Sequence, residues 1–537
     1  MNKTFYVLSL LLISAGLSFG QNYELEKGKA RSAKTEVIKS ILLDDGRVVS
    51  FKTKGTMMSS LSGKKLQVEI LDEDLNPVKS LETDIKYLDV WSTTQDNQYQ
   101  FAEILDGIVY VFYSKQDSKE DFSLYARELD IEAMKLSKDE IRIAKFNKKG
   151  KIDSGSVDYS LSKDRNKLLV YFSEYVKIDG KRNTFTEMVV MDSQLEVLWN
   201  EEYLDDQGKR FKEYKSYDVN NKGEVFILKQ IFEKNYATYS NNKVTYTFSI
   251  VKFDTKGQFA VEKDLDLPDY HIKDIQVVHN DQDELICVGF YSNLGRNSAD
   301  GTYYARFSSD RLTKKSSQID EFTVDFMVDG KSNRTERKAV RKDNRGSDVE
   351  LPNLLVRDIV LRSDGGVVLV GEEYYLEEDS EGRQEYYYND IMVININSLG
   401  KIDWAKKIYK RQELIFAATT GVLSATVSAV NMVRAGFLSY TLCVAGDKIY
   451  FVYNDHKDNF DGRDGKDYRL TPDNLKSVSA ITSIDGNGRI DKKVLFKNET
   501  NKVVVYPQNC VQLNSADPKL LLFGRWKSTE RYMRLSF

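Results

Sequence analysis

Apolar runs bounded by turn residues recur along this chain and predict its architecture. The stretch from Val367 to Trp404 shows the repeating unit best: an apolar strand, a second strand, a turn and an outgoing strand. The repeat, spaced by roughly sixty to eighty residues, predicts an all-β fold made of one sheet unit. The eight first strands are Arg47–Phe51, Gly107–Tyr113, Lys167–Phe172, Glu224–Leu228, Glu284–Phe290, Val367–Gly371, Lys448–Tyr453 and Lys519–Gly524.

These first strands are almost continuously apolar, which is typical of strands buried on both faces. The inner strands of a β-propeller are sandwiched between neighbouring blades in this way. Strands of an outer-membrane barrel, the alternative fold, would alternate between apolar and polar residues. We therefore predict a β-propeller with eight blades, with seven as the alternative. Because the eighth unit has only two strands, we expect the N-terminal segment Asn22–Thr35 to complete the last blade.

The N-terminus predicts export. Lys3 precedes the apolar run Phe5–Leu17, and small residues at Ser18 and Gly20 suit a signal peptidase. We expect a signal peptide over residues 1–20 and a single β-propeller domain over residues 21–537, with inserted loops at about 325–352 and 406–440. The predicted location is the periplasm or the periplasmic face of the outer membrane, with the cell surface or secretion as alternatives.

Charge and cysteine content narrow the classes of function. The 78 basic and 82 acidic residues give a net charge of -4, which offers no overall attraction to nucleic acid. Three cysteines, Cys287, Cys443 and Cys510, are too few and too far apart for a disulfide scaffold, and the first two are expected to be buried thiols. Because the chain has only three histidines, we do not expect a multi-histidine metal centre.

Parts of the second half resemble known propeller sequences. The ending Gly400–Trp404, with a looser copy at Leu195–Trp199, resembles the outgoing strand of quinoprotein-type blades. Together with Asp364–Gly366, Asp390–Asn397 and Tyr453–His456, it resembles exported propeller-like proteins of Gram-negative bacteria. These motifs are structural, so the resemblance implies a fold and no activity.

An acidic stretch from Asn454 to Asp467 is a candidate calcium loop. Its carboxylates offer the oxygen ligands that Ca²⁺ prefers, but their spacing departs from the EF-hand pattern. A solvated acidic loop is the alternative. Asp455 and His456 could form an acid/base pair, but no motif places a serine or cysteine nucleophile near them. The weak calcium candidates are Asp455, Asp458, Asp461 and Asp464.

Two inserted stretches are candidate contact surfaces. Gly330–Ser347 is rich in basic residues, among them Arg334, Arg337 and Arg341, and could bind lipid phosphates or an acidic partner; a solvated loop is the alternative. Leu414–Val433 has no charged residue and is interpreted as an insertion outside the sheet that projects into a partner or the membrane interface.

Folding of that uncharged insertion onto the propeller, as a strand pair or short helix, is the alternative. The stretch is flanked by basic residues that would suit either a polar rim or contact with lipid headgroups: Lys406, Lys407, Lys410, Arg411 and Arg434. Its predicted partner-binding residues are Leu414, Ile415, Phe416, Val422, Leu423, Val427, Val430 and Met432.

Our leading hypothesis for the function is a non-enzymatic, protein-binding subunit. It would act as an accessory or plug on the periplasmic side of an outer-membrane channel or secretion assembly, with possible peripheral contact to the membrane. No catalytic or cofactor-binding residue is predicted. The alternative is a glycan-binding or glycan-hydrolysing propeller that uses tyrosine rings as stacking faces. These tyrosines are Tyr374, Tyr375, Tyr386, Tyr387 and Tyr388.

Overall fold

The computed structural model describes most of the chain after residue 22. It leaves undescribed residues 1–22, 33–34, 55–63, 88–96, 150–155, 179–180, 206–210, 234–238, 241–242, 266–269, 294–297, 344–348, 379–382, 417–434, 461 and 514–516. The described residues are mostly β-strands, with a few short helices. The all-β prediction is therefore confirmed. The predicted signal peptide lies outside the described residues.

Eight sheets follow one another along the chain, and we number them sheet 1 to sheet 8. Two short N-terminal strands, β1 (Glu24–Lys27) and β2 (Arg31–Ser32), precede sheet 1 and belong to sheet 8. Sheet 1 contains β3 (Thr35–Leu42), β4 (Val48–Lys54), β5 (Lys64–Leu71) and β6 (Pro77–Tyr87). Sheet 2 contains β7 (Gln98–Leu105), β8 (Ile108–Gln116), β9 (Asp121–Asp130), the short β10 (Lys135–Leu136) and β11 (Ile141–Asn147). A single parallel bridge, Lys86 to Gln98, joins these two sheets.

Sheets 3 to 5 repeat the four-stranded antiparallel pattern. Sheet 3 contains β12 (Ser156–Leu161), β13 (Lys167–Ile178), β14 (Lys181–Asp192) and β15 (Val197–Leu204). Sheet 4 contains β16 (Phe211–Val219), β17 (Val225–Phe232), β20 (Tyr246–Phe253) and β21 (Phe259–Asp264), with the small hairpin β18 (Tyr239–Ser240) and β19 (Lys243–Val244) between its middle strands. Sheet 5 contains β22 (His271–His279), β23 (Glu284–Ser292), β25 (Gly301–Ser308) and β26 (Lys314–Glu321); the short β24 (Ser298–Ala299) pairs outside it with β27 (Leu351–Pro352).

The last three sheets carry the additional elements. Helices α1 (Val324–Val328) and α2 (Asn333–Asp343) connect sheets 5 and 6. Sheet 6 contains β28 (Leu354–Leu361), β29 (Val367–Glu378), β30 (Gln384–Ile396), β31 (Ile402–Ile408) and β32 (Gln412–Phe416). Sheet 7 contains β33 (Tyr440–Ala445), β34 (Lys448–Asp455), β35 (Val478–Asp485) and β36 (Ile490–Lys497), and α3 (Asn498–Asn501) follows it. Sheet 8 contains β37 (Val504–Val505), β38 (Val511–Leu513), β39 (Lys519–Trp526) and β40 (Thr529–Ser536) together with β1 and β2.

Apolar side chains pack each sheet against the next. Separate buried clusters lie between sheets 1 and 2, 2 and 3, 3 and 4, 4 and 5, 5 and 6, 6 and 7, and 7 and 8. A further cluster joins Leu521, Phe523 and Tyr532 of sheet 8 to Leu42 and Val48 of sheet 1. Strands such as β23 and β39 are consequently buried along most of their length, as their apolar sequences predict.

The first and last sheets are also joined by polar contacts. The predicted N-terminal strand is present: β1 pairs antiparallel with β40, from Glu24 opposite Ser536 to Lys27 opposite Met533. Lys52 of sheet 1 is 2 % exposed, and its Nζ donates to Glu530 of sheet 8 at 2.7 Å. This contact buries an ion pair at the junction of the two sheets.

The strand order gives the molecule two different faces. Turns between the first and second strands, and between the third and fourth, lie at one end of the sheets, which we call the turn face. These turns are short: the Asp254 carboxylate accepts the backbone N–H groups of Lys256 and Gln258 at 2.8 and 2.9 Å. All other connections lie at the opposite end, the loop face. They include the long ones at 322–353, 409–439 and 456–477.

Candidate functional site

The basic stretch 330–347, expected as a loop, contains the helix α2 on the loop face. Its N-terminus is capped by Ser332, whose hydroxyl accepts the Thr335 N–H at 3.3 Å. Arginine, lysine and glutamate favour helix when no glycine or proline interrupts them, so the stretch needs no apolar stripe to adopt this structure. The loop interpretation is therefore wrong for Asn333–Asp343.

The basic side chains of α2 point to solvent. Arg334, Arg337 and Arg341 are exposed, while Ala339 is the buried side chain among residues 333–342. Counting Lys338 and Lys342, the helix carries five basic against two acidic residues, a net charge of +3 in a chain whose net charge is -4. The helix is thus a local cationic surface on the loop face.

Helix α1 anchors this insertion to the sheets. Phe326, Met327 and Val328 are each less than a tenth exposed, and the first two pack into the cluster between sheets 5 and 6. From the end of β31, Lys407 donates to the carbonyl oxygens of Met327 and Asp329 at 3.0 and 2.9 Å. These carbonyls lie at the C-terminus of α1, where a cation is favourable.

The environment of Lys407 shifts several ionisation equilibria. Burial lowers the pKa of Lys407 to about 8, and the Asp390 carboxylate opposes that shift. Burial also raises the pKa of Glu373 and of Asp390 above the ordinary carboxyl range, because the nearby lysines compensate only in part. Lys331, from the connection between α1 and α2, lies 3.8 Å from Glu373.

A tyrosine joins the two long connections near α1. The ring of Tyr409 lies against Gly330 and Gly465, where an added Cβ would come within 2.5 and 2.6 Å of ring atom Cε1. The Tyr409 hydroxyl donates to Asp329. Glycine is therefore required at both positions. Through these contacts, Tyr409 holds the insertion between sheets 5 and 6 against the 456–477 connection.

A fully buried ion pair lies beneath this region. Glu372 and Lys410 are both 0 % exposed, and their side chains meet at 2.7 Å. Arg357 Nε and the Ser439 hydroxyl also donate to Glu372, at 2.9 and 2.8 Å. Burial lowers the pKa of Lys410, and the Glu372 charge opposes the shift. Lys407 and Lys410, expected in a polar rim, are therefore buried structural groups.

The uncharged stretch 414–433 begins inside the sheet. β32 pairs with residues 384–388 of β30 and places Leu414 opposite Tyr386. The interpretation as an insertion outside the sheet is therefore wrong for Leu414–Phe416. Leu414 is 2 % exposed and packs with Phe437 and Leu438, which removes it from a partner surface. Ile415 is 39 % exposed. The predicted contacts Val422, Leu423, Val427, Val430 and Met432 lie outside the described residues.

The candidate calcium loop uses its described carboxylates in other contacts. Asp455 is 0 % exposed and accepts from Lys492 at 2.5 Å, Asp458 accepts from Arg469 at 2.5 Å, and Asp464 lies 3.0 Å from Lys466. Asp461 lies outside the described residues. Within the described part of the chain, no group of three histidine, cysteine or acidic residues is arranged to hold a metal. The calcium prediction gains no support from these contacts.

The tyrosines of β29 and β30 pack mainly on one another. Tyr375 and Tyr387 stack with ring centroids 4.4 Å apart, and Tyr374 and Tyr388 lie 4.8 Å apart beside Arg357. Tyr386 belongs to the cluster around Leu414. Their ring faces are therefore largely occupied by protein.

Another perturbed carboxylate lies in sheet 3. Burial raises the pKa of Glu187 to about 7, the Asn147 N–H opposes the shift, and the Glu202 charge adds to it. Glu174, also buried, accepts the Lys149 N–H at 2.5 Å. Sequence analysis missed this site and the Glu372–Lys410 pair. A charged residue inside an apolar strand, or directly after one, was the signal that could have revealed both.

The thiols match their prediction. All three cysteines are free, and Cys287 and Cys443 are buried as expected. Burial raises the pKa of Cys443 to about 12, so its thiol stays protonated at neutral pH. Among the described residues, no helix combines the length and the apolar character needed to cross a membrane.

No protein-family model and no curated protein matches the chain. Solved structures resemble it only distantly. Prolyl oligopeptidase B from Galerina marginata matches at 10% identity over 91% of this chain and 55% of its own, with a TM-score of 0.36, so the chain spans about half of that protein. The WD40 domain of SCAP from fission yeast matches at 8% identity over 96% and 94%, with a TM-score of 0.36. A polysaccharide lyase, ulvan lyase, matches at 11% identity over 68% and 79%, also at 0.36. Likeness this low supports no conclusion about fold or function.

Proposed function

We propose that the chain is a closed eight-bladed β-propeller, with sheets 1 to 8 as its blades. The support is the set of apolar clusters that join each sheet to the next and sheet 8 to sheet 1. Radial packing of this kind buries both faces of every sheet. Pairing of β1 with β40 supplies the outer strand of the last blade, so eight units are favoured over seven.

This propeller acts as a binding protein whose partner docks on the loop face. The observation that carries the proposal is helix α2, which exposes Arg334, Arg337 and Arg341, while the preceding helix α1 is fixed by buried side chains. Helix α2, with a net charge of +3, follows the anchored helix α1 and suits an acidic surface on a protein partner, because complementary charge speeds and orients docking.

The predicted signal peptide directs this proposal to the cell envelope. The partner would be an outer-membrane protein or complex, and the propeller its accessory subunit or plug on the periplasmic side of a channel or secretion assembly. Support for this location comes from the N-terminal sequence alone: Lys3 followed by the apolar run Phe5–Leu17. Peripheral contact between the cationic helix and anionic lipid is a separate outcome of the test.

A pull-down from detergent-solubilised membranes tests the docking function. The tagged protein is compared with the charge-reversal variant Arg334→Glu, Arg337→Glu and Arg341→Glu. We expect the unaltered protein to recover an outer-membrane protein in stoichiometric amount. The variant should recover at least about tenfold less of that partner. A matched control reverses Lys256, Lys401 and Arg489, three exposed cations of the turn face, and should retain the partner.

Two results would contradict the docking function. One is recovery of the tagged protein alone; the other is equal recovery of the partner by both charge-reversal variants. Binding of the unaltered protein to anionic vesicles, without a protein partner, would assign the helix to lipid instead.

Glycan binding is the second candidate function. The tyrosines proposed from sequence as stacking faces are largely occupied by one another, as the 4.4 Å separation of Tyr375 and Tyr387 illustrates. A different observation favours glycan: a cavity beside Trp404 on the turn face, lined by both apolar and polar side chains. Binding of sugars by this cavity would not require the loop face at all.

A further inference from the structure

We propose that the cavity between sheets 6 and 7, at the turn face, binds a neutral saccharide of one or two rings. The inference rests on the second of the two proposed functions and is independent of docking at the loop face. The cavity has a volume of about 440 Å³, within the range of pockets that hold small molecules. Its floor is apolar and includes Val368, Ile449 and Ile484.

A short turn of sheet 7 borders the cavity. In sheet 4, residues 220–224 connect the first two strands, whereas in sheet 7 Gly446 and Asp447 alone connect β33 to β34. A Cβ added at Gly446 would meet no atom within 4 Å. The shorter turn therefore leaves open space where a longer one would lie.

Two equivalent tryptophans show the effect of this turn. Trp199 of sheet 3 is 6 % exposed, packs on Gly257, and donates from Nε1 to the carbonyl of Gly223 in the first turn of sheet 4 at 3.0 Å. Trp404 of sheet 6 donates instead to Gly486, in the second turn of sheet 7, at 3.0 Å. The junction between sheets 3 and 4 is filled by the first turn of sheet 4. At the junction between sheets 6 and 7, Trp404 lines a cavity instead.

The polar rim of the cavity is already ordered. Arg362 Nη1 donates to Asn395 Oδ1 at 2.6 Å, and Arg362 Nη2 donates to Asp364 Oδ2 at 2.7 Å. Asp403 lies 3.3 Å from the same guanidinium. A rim held in place before binding loses little conformational entropy when a ligand arrives.

The charge of the rim selects against anionic ligands. Asp364, Asp447 and Asp485 line the cavity together with Arg362 and Lys448, which gives three carboxylates against two cations. A phosphate or carboxylate ligand would meet a slightly negative surface, and this disfavours nucleotides and acidic sugars. The rim suits a neutral ligand with several hydroxyl groups.

A neutral sugar matches the remaining chemistry. One face of a hexose ring presents C–H groups that pack on an aromatic ring, and its hydroxyl groups bind carboxylates, amides and guanidinium groups. Trp404 provides the aromatic surface and packs on Gly488 in the next sheet, so its ring is held in position. Asn395, Asp364 and Arg362 provide the polar groups at the rim.

Saturation-transfer NMR on the full chain tests the inference. The probes are glucose, galactose, mannose, N-acetylglucosamine, cellobiose and lactose. We expect transfer to at least one of them, and Trp404→Phe should weaken its binding at least about tenfold, equivalent to about 1.4 kcal/mol. Asp447 is exposed, so Asp447→Ala should leave folding intact and still weaken binding about threefold.

The control is Trp526→Phe, on the loop face, which should bind the same sugar as the unaltered protein does. Absence of transfer to all six probes would overturn the inference. Unchanged binding by both Trp404→Phe and Asp447→Ala would overturn it as well, because the sugar would then occupy another site. Partner recovery by Trp404→Phe in the membrane pull-down separates this result from failure of the docking function.

Discussion

On the turn face, Asp485 accepts the backbone N–H groups of Asn487 and Arg489 within its own turn. Beneath the loop face, buried Glu372 is held by Arg357, Lys410 and Ser439, which come from three other segments of the chain. A local turn depends on a few adjacent residues, whereas the buried ion pair depends on the assembled fold. Single substitutions should therefore cost more under the loop face than on the turn face.

The largest expected effect is at the buried ion pair. Lys410→Met removes the fully buried cation 2.7 Å from Glu372, whose charge is then compensated only in part, by the Arg357 guanidinium. We expect the free energy of unfolding to fall by about 3–5 kcal/mol, measured by urea denaturation. Lys406, four residues earlier and exposed, provides the control: Lys406→Met should change stability by less than about 0.5 kcal/mol. Equal effects would contradict the contrast between the two faces.

A glycine of the turn face should give an intermediate effect. Gly488 has φ +74°, and a Cβ there would lie 3.0 Å from Trp404 Cδ2, so Gly488→Ala combines backbone strain with a close contact. We expect a loss of about 2 kcal/mol by thermal or urea unfolding. Gly462 has φ +64°, and a Cβ there would meet no atom within 4 Å. Gly462→Ala therefore tests the backbone strain alone and should lower the free energy of unfolding by about 1 kcal/mol. If both variants lose the same amount, the close contact contributes nothing.

The pH dependence at Glu187 should be smaller. Its pKa is raised from 4.5 to about 7, so the folded state binds more protons than the unfolded state between these values. Stability from this group is present below about pH 4.5 and is lost as the pH rises through about 7. At pH 8, Glu187→Gln should therefore be more stable than the unaltered protein by roughly 1 kcal/mol, with less difference at pH 5. The exposed Glu196→Gln should show no such pH dependence.

The smallest expected effect is on α2. Replacing Arg334, Arg337 and Arg341 with alanine should change the free energy of unfolding by less than about 0.5 kcal/mol per site, since all three are exposed. Ala339→Glu would instead place a charge at the buried contact and should cost about 1–3 kcal/mol. A large loss in the triple arginine variant would show that the cations stabilise the fold rather than serve a partner.

The middle strands of every sheet could be predicted from sequence. The predicted runs Val367–Gly371 and Lys448–Tyr453 lie within β29 and β34, because strands packed on both faces are apolar at nearly every position. Outer strands lack such runs, although the outgoing strand predicted at Gly400–Trp404 overlaps β31. β26, for example, reads Lys-Lys-Ser-Ser-Gln-Ile-Asp-Glu and is half exposed, so it has no apolar run.

The candidate site was less predictable than the fold. Helix α2 lacks a regular apolar periodicity, and its capping residue Ser332 was the available sign of a helix start. The partners Glu372 and Lys410 are both visible as charged residues near apolar strands, but their contact depends on the pairing of β30 with β32. Pairing of that kind is a property of the folded chain, and one sequence without relatives does not display it.

Pairing of β1 with β40 gives the order of synthesis a physical consequence. Arg534 donates to Glu26, a residue 508 positions earlier in the chain. β1 therefore cannot form this pairing until β40 has been synthesised. Contacts between such distant residues form slowly because the intervening chain must be ordered first. Pairing of β1 with β40 is therefore expected to be a late step in folding.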